Sequence, residues 1–196
     1  MPLQQRLGGR VAWLTPTQAS EIYPLLGEDE TLFVGATFGQ DDGTMSPQAV
    51  LEAYKKKAIS LGAELLEAEV TAVCHKTNQV TGVQLKNGER IEAGVVVNSA
   101  GAWGTQVAQT CGVEIPVAPV MRQVFILETA VRPGTILPLL LLPSGTYLIH
   151  ESHGLFMCGR SFADDPVTTT EFKWQQYKFE ERIWPELAQF LPAFDS

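Results

Sequence analysis

A turn built from small residues is the feature that most limits what this chain can fold into. It follows Val95–Val97, a short β-branched run that predicts a strand buried on both faces. The turn itself, Ser99–Gly104, is small apart from Trp103, and the chain then continues as a predicted helix. Backbone N–H groups at such a junction attract anions. Small residues there either admit a phosphate or allow tight strand–helix packing, and spacing alone leaves both interpretations open.

Composition and charge exclude several function classes. The 196 residues are 45% hydrophobic, which is enough to bury a core. Acidic residues outnumber basic ones by 22 to 14, and Lys55–Lys57 is the one short basic run, so we expect no nucleic-acid partner. The longest apolar stretch, Ile136–Leu142, contains Pro138 and is too short to span a bilayer. The sequence therefore predicts a soluble cytoplasmic protein without a membrane span.

Paired cysteine spacings are absent from the sequence. Its three cysteines, Cys74, Cys111 and Cys158, form no CxxC motif. Disulfide frameworks and zinc ribbons both need such pairs. We therefore expect buried thiols in a reducing compartment.

Capping residues predict two helices in the first third of the chain. Thr15 and Pro16 begin a short helix that ends near Tyr23, and Ser46 and Pro47 begin one that runs to Leu61. The second helix carries an apolar stripe that predicts a buried face. The members of that stripe are Val50, Leu51, Tyr54, Ala58 and Leu61.

An antiparallel β meander is predicted after the second helix. Its strands are expected at residues 63–66, 70–75, 80–85 and 90–93, with the Asn87–Gly88 dipeptide as a hairpin turn. Further strands are expected at 123–127, 136–142, 146–150 and 155–158, followed by a helix from about Glu171 that Pro185 kinks or restarts. The fold class is therefore α/β, or mixed α+β, with a β meander inserted in a layered sheet.

An acidic-Gly turn and a Pro open the predicted helix at 47, and an Asn-x-Ala-Gly-Ala-Trp turn follows at 98–103. In these motifs residues 40–123 resemble the FAD-dependent oxidoreductases of the D-amino acid oxidase and glycine/sarcosine oxidase family. The resemblance extends to the predicted hairpin GTYLIHESHGLFMCGRSF and to the predicted helix KFEERIWPELAQF. This helix is similar to the matching helix of flavoproteins linked to complex I assembly. The resemblance implies a fold with two parts. One is part of an FAD-binding Rossmann-like layer, and the other is a substrate domain with a mixed or antiparallel β-sheet and helices.

The resemblance also implies domains and site residues. Residues 1–40 would supply a substrate-domain strand and helix, 41–112 part of the FAD-binding domain, and 113–196 the substrate domain. Val70 would contact the adenine of FAD through its backbone, and Arg122 and Tyr147 would lie on the substrate side. The pyrophosphate–ribose side would be lined by Ser99, Ala100, Gly101 and Trp103. Trp103 could instead fill the space between sheet and helix.

The family's main phosphate motif is missing from the sequence. Neither Gly8–Gly9 nor Gly35–Gly39 has GxGxxG spacing after a strand. The family's C-terminal flavin segment and its substrate-binding arginine have no counterpart either. We therefore expect an interior segment of a longer flavoprotein, or one part of a split one, that binds FAD weakly or not at all alone and is inactive by itself.

Three functions remain open from sequence. The first is a fragment of a flavin-dependent enzyme that oxidises the C–N bond of an amine or amino acid by hydride transfer to FAD. The second is a non-catalytic scaffold that binds the missing Rossmann portion, another protein, or a second copy of itself through exposed apolar surface. The third is a metal-dependent hydrolase at His150 and His153, disfavoured because residues three apart in a strand point to opposite faces and no third ligand is near.

Overall fold

The computed structural model describes residues 2–27, 29 and 31–195. Its helices and strands run in this order: α1 Pro2–Arg6, β1 Val11–Leu14, α2 Pro16–Ile22, β2 Ala36–Gly39, α3 Pro47–Ser60, β3 Val70–Lys76, β4 Gln79–Leu85, β5 Arg90–Glu92, a 3₁₀ turn Gly101–Trp103, α4 Gly104–Gln109, β6 Val124–Glu128, β7 Leu140–Leu141, β8 Tyr147–Ser152, β9 Leu155–Gly159, a π-helix Lys178–Ile183, α5 Trp184–Phe190 and a 3₁₀ turn Pro192–Asp195. None of the described helices is both long and apolar enough to cross a membrane.

The chain divides into two compact units. Unit 1 comprises Met1–Thr44, Arg122–Ala163 and Lys173–Ser196, and unit 2 comprises Met45–Met121 and Asp164–Phe172. These are geometric units, so the predicted boundaries at 40 and 112 between cofactor and substrate domains stay a prediction.

Unit 1 is built on a four-stranded antiparallel sheet in the order β6-β9-β8-β7. One face packs through Leu148, Phe156 and Cys158 against apolar residues of α5, among them Leu187. Strands β1 and β2 form a separate two-stranded antiparallel sheet, and α2 lies between them in the chain. Helix α2 has the predicted cap, since the Thr15 hydroxyl accepts the N–H of Gln18 and the Gln18 side chain accepts the N–H of Thr15.

Unit 2 contains α3, the predicted meander β3-β4-β5 and α4. Gly82 sits in β4 where β5 approaches closely, with φ of +148° and no room for a Cβ against the carbonyl oxygen of Ile91. Every strand pair described in the two units is antiparallel, and the mixed α/β class with an inserted meander is confirmed. The predicted strand at 63–66 is wrong, because those residues lie outside every described strand.

The strand predicted at Val95–Val97 is also wrong. The segment has no strand pairing, and Val95 and Val97 are 79% and 81% exposed. A strand buried on both faces needs a neighbour along each edge and a layer on each side. None of the described strands provides that neighbour, so the β-branched run stays open to solvent.

Helix α3 has the predicted length, but its apolar stripe is not buried. It begins after Ser46, whose hydroxyl accepts the N–H of Ala49 at 3.3 Å, and it ends before Gly62 at φ of +95°. No residue of α3, all of which are described, is buried, and Tyr54 is 74% exposed. An apolar stripe becomes a buried face only where a second element packs against it. The stripe of α3 faces solvent instead.

Proline limits two further elements. Only Leu140–Leu141 of the predicted strand at 136–142 forms a ladder, since Pro138 and Pro143 have no N–H to donate. The last helix begins near residue 176 rather than at Glu171, and it runs as a π-helix before continuing as α5. Pro185 lies in the first turn of α5, which agrees with its predicted restarting role.

Candidate functional site

The small-residue turn at 98–104 is held in shape by the side chain of Asn98. Its Nδ2 donates to the Gly104 carbonyl oxygen at 2.8 Å, and its Oδ1 accepts the N–H of Ala100 at 3.2 Å. An Asn side chain that bonds its own following backbone is a standard way to fix a turn. The turn is therefore preorganised by residues adjacent in sequence.

Gly101 gives the turn its open surface. Its φ is +54°, in the left-handed region that favours glycine, and a Cβ placed there would meet no atom within 4 Å. The 3₁₀ turn begins at Gly101, so the N–H groups of Gly101 and Ala102 have no helical acceptor. Two donors thus stand at an exposed helix start with no side chain in front of Gly101, an arrangement that can bind an anion.

Trp103 does not fill a gap between sheet and helix. Trp103 is 51% exposed. The neighbouring Ser99 and Gly101 are also exposed, and Ala100 is half-buried. The interpretation that this indole packs inside the fold is therefore wrong for the described structure. An exposed indole beside open N–H donors leaves a flat apolar surface available to a ligand.

Helix α4 is tied to the meander through one threonine. The Thr110 hydroxyl accepts the N–H of Val73 in β3 at 2.9 Å and donates to the Val107 carbonyl oxygen at 2.6 Å. Val70, the predicted adenine contact, begins β3 and is partly exposed. Val70 and the turn therefore belong to one unit, linked through β3 and α4.

The predicted substrate residues lie in unit 1. Tyr147 begins β8 and is paired with Gly159 of β9. A Cβ on Gly159 would collide with the Tyr147 phenol, so the glycine makes room for that ring. Arg122 is exposed and lies two residues before β6. Arg122 thus precedes β6 and Tyr147 begins β8, with β9 between these two strands in the sheet.

Tyr147 lies on the face of the four-stranded sheet that points away from α5. Leu148 and His150 are buried on the core side, so the alternate residues Tyr147 and Ile149 lie on the other side. Cross-strand partners extend this apolar face, which we call the open face: Val124, Ile126, Leu141, Tyr147, Ile149, Met157 and Gly159. Burial, and secondarily the Cys158 thiol, raise the pKa of Tyr147. The phenol therefore stays neutral and can donate a hydrogen bond.

A cavity of about 920 Å³ adjoins the open face. Its walls come mainly from the two-stranded sheet of β1 and β2, from the loop after β2, and from residues 136–143. Leu141 and Ile149 belong both to the cavity and to the open face. Sequence reasoning missed this cavity because its walls are distant in the chain and carry no motif.

His150 is a structural residue and not a metal ligand. Its Nδ1 accepts the N–H of Leu137 at 3.2 Å, and its Nε2 lies 3.0 Å from the His153 carbonyl oxygen. A carbonyl can only accept, so this network assigns the proton to Nε2. The ring also stacks on Phe156 with centroids 4.7 Å apart. Within the described residues no group of three or more metal-ligating side chains occurs.

Asn98 is the site residue that sequence reasoning did not single out. It stands inside the quoted turn motif, and an Asn directly before a run of small residues is a usable signal for an Asx-type turn. Gly159 was missed for a different reason. Its role depends on a cross-strand ring that no local pattern announces.

Comparisons with known proteins identify the family of the chain. The sequence pattern of the family described as FAD dependent oxidoreductase, DAO, matches residues 2–196. The chain is 27% identical over 226 residues to "FAD-dependent oxidoreductase domain-containing protein 1" of Xenopus laevis, a match that covers 99% of this chain and 45% of that protein. It is 29% identical over 168 residues to "Hydrogen cyanide synthase subunit HcnC" of Pseudomonas protegens, covering 84% of this chain and 39% of that protein.

Solved structures give the same fold. L-proline dehydrogenase from P. horikoshii superposes with a TM-score of 0.86 at 28% identity, over 99% of this chain and 51% of that one. Glycine oxidase from Geobacillus kaustophilus, at 22% identity, shares the fold with a TM-score of 0.78 over 99% of this chain and 50% of that one. The chain spans about half the length of the relatives it matches. On the extent of the family match, the chain belongs to the DAO family of FAD-dependent oxidoreductases.

Proposed function

We propose that this chain forms part of an FAD-dependent enzyme that oxidises the C–N bond of an amine or amino acid. The exposed turn at 98–104, with its open N–H donors at Gly101 and Ala102, is the observation that carries the proposal. It suits the pyrophosphate and ribose of a dinucleotide, because phosphate binds free N–H groups at a helix start. The names of relatives add support, since L-proline dehydrogenase and glycine oxidase both name amino acids.

Each residue of the turn has a defined part in this proposal. Asn98 holds the turn, Gly101 leaves space for the phosphates, and Trp103 covers the ribose side. Val70 offers its backbone to the adenine. The bound FAD supplies the acceptor for a hydride from the substrate carbon next to nitrogen.

On the substrate side, the open face of unit 1 positions the reacting molecule. Tyr147 presents a neutral phenol that donates a hydrogen bond to the substrate, and Arg122 contributes positive charge near β6. The apolar residues of the open face exclude water from the reacting carbon. We place the protein in the cytoplasm, where its three free thiols stay reduced.

We further propose that this chain alone is inactive and binds FAD weakly, because it lacks the GxGxxG phosphate loop of its family. A segment that carries that loop, in the same or in another polypeptide, would then complete the site. Its binding surface on this chain is the unburied stripe of α3 together with Val95–Val97.

Two measurements test the proposal. ADP titrated into the isotope-labelled chain should shift the amide signals of Gly101 and Ala102, and Gly101→Val should abolish those shifts while Gly94→Val keeps them. FAD should be retained after mixing with a polypeptide that carries the GxGxxG half of a relative, and an amine or amino acid should then bleach the flavin absorbance. Absence of ADP shifts at the turn would remove the cofactor assignment.

A non-catalytic, partner-binding module is the second candidate. The exposed apolar residues of unit 2 favour it, since patches of this kind mark association surfaces. A complex that forms with the complementary polypeptide or with a second copy of the chain, yet never retains FAD, would favour this function. Static light scattering distinguishes self-association from a monomer.

A further inference from the structure

The cavity of unit 1 has a strongly apolar wall. Aromatic and branched aliphatic side chains make up most of it, namely Trp13, Phe33, Phe38, Leu139, Leu141 and Ile149. Its volume of about 920 Å³ lies in the range of pockets that hold drug-sized ligands. An apolar wall of this extent gains most from a ligand with a sizeable hydrocarbon or aromatic body.

The polar part of the lining carries one charge, and that charge is negative. Asp42 lines the cavity beside Gln40 and Thr44. Its carboxylate packs against Gly39, and a Cβ on residue 39 would collide with it. The adjacent Asp41 is not available in the same way, since it is ion-paired with Arg10.

The described residues that line the cavity include no lysine or arginine. The remaining titratable member of that lining, His150, has both ring nitrogens engaged within the protein. A carboxylate beside apolar walls and without a lining cation favours a cationic ligand group and disfavours an anionic one. The charge and the wall together therefore specify an amphiphilic cation.

We propose that this cavity binds a protonated amine with a large apolar body, the hydrocarbon against Trp13 and Leu141 and the ammonium beside Asp42. Identifying this ligand as the enzyme's substrate rests on the proposed function. The substrate class would then be a hydrophobic amine, or an amino acid with a bulky apolar side chain. Small polar substrates would leave most of the wall in contact with water.

The experiment uses the full chain without flavin and a series of n-alkylamines from butylamine to octylamine. Tryptophan fluorescence reports binding, and Trp13→Phe assigns the signal to the cavity. Affinity should rise about fourfold for each methylene that is buried. Octylamine should bind at least tenfold more tightly than octanoate, with octanol between them.

Paired variants separate charge from packing. Asp42→Asn should bring octylamine affinity down to that of octanol, while Asp41→Asn should not change this ratio. Ile149→Asn should weaken all three octyl ligands, whereas Leu7→Asn, at an exposed position that does not line the cavity, should not. Retained octanol binding shows that Asp42→Asn is folded, and circular dichroism checks Ile149→Asn.

Several results would overturn the inference. They are an affinity independent of chain length, octanoate binding as tightly as octylamine, or equal effects of Asp41→Asn and Asp42→Asn. The outcome is independent of the ADP titration, which probes unit 2. Amine binding without ADP shifts would support the cavity proposal and contradict the proposed FAD-dependent function. ADP shifts without amine binding would support the proposed function and contradict the cavity proposal.

Discussion

Gly101→Ala isolates the backbone requirement of the turn that carries the proposed function. The residue has φ of +54°, and an added Cβ would touch nothing within 4 Å. The substitution therefore introduces no steric clash with a neighbour. Any loss of stability comes from holding an L-residue in the left-handed region.

The expected loss is about 1 kcal/mol. The left-handed conformation costs an alanine about 1–2 kcal/mol. Replacing glycine also restricts the unfolded chain, which returns about 0.5 kcal/mol. For a chain of this size, 1 kcal/mol corresponds to a fall in Tm of about 2–4 °C.

Gly94→Ala is the matched control in the same unit. Gly94 is exposed, a Cβ added to it would meet no atom within 4 Å, and its backbone is not in the left-handed region. Urea unfolding should show that Gly94→Ala leaves the free energy of unfolding unchanged or slightly raised. Gly101→Asn should be less destabilising than Gly101→Ala, because Asn tolerates the left-handed conformation. Equal stability of Gly101→Ala and Gly94→Ala would refute the assigned turn geometry.

Three further outcomes are expected. Glu186→Ala should lower the free energy of unfolding by about 2 kcal/mol, since its carboxylate accepts a 2.6 Å hydrogen bond from the fully buried Thr146; calorimetry with the exposed Glu181→Ala as control checks this. Cys158 should react last of the three thiols with a thiol reagent, because burial raises its pKa from 9.0 to about 12. The contribution of this buried thiol to the free energy of unfolding should fall as pH rises from about 9 towards 12. One common reaction rate for the three thiols would contradict this. Zinc should leave the Tm unchanged, because both His150 nitrogens are bonded, and a rise in Tm abolished by His150→Ala would restore the metal site.

Local signals predicted the elements whose stability is local. Thr15 and Ser46 cap the helices that follow them, and the Asn87–Gly88 turn joins two strands of the meander. In each case the determining contact joins residues a few positions apart. The family resemblance gave the fold class for the same reason, since the turn motif at 98–103 is contiguous.

Burial could not be predicted in the same way. Val95–Val97 has the composition of a central strand, and α3 has the stripe of a packed helix, yet both face solvent. Composition reports what a segment can bury, and only the rest of the fold decides whether it does. The cavity beside the open face is a second case, because its walls come from segments about 100 residues apart.

The turn and the unpaired segment before it differ in what stabilises them, and this difference would couple the proposed cofactor binding to association. Asn98 and the Thr110 link to β3 fix the turn within this chain, whereas Val95–Val97 has no partner among the described strands. A polypeptide that pairs with this segment would order the residues immediately before the phosphate-binding donors. FAD binding would then lose less ordering entropy, and by linkage FAD would tighten the association by the same factor. A partner affinity that does not change with FAD would show that the turn and the segment Val95–Val97 are independent.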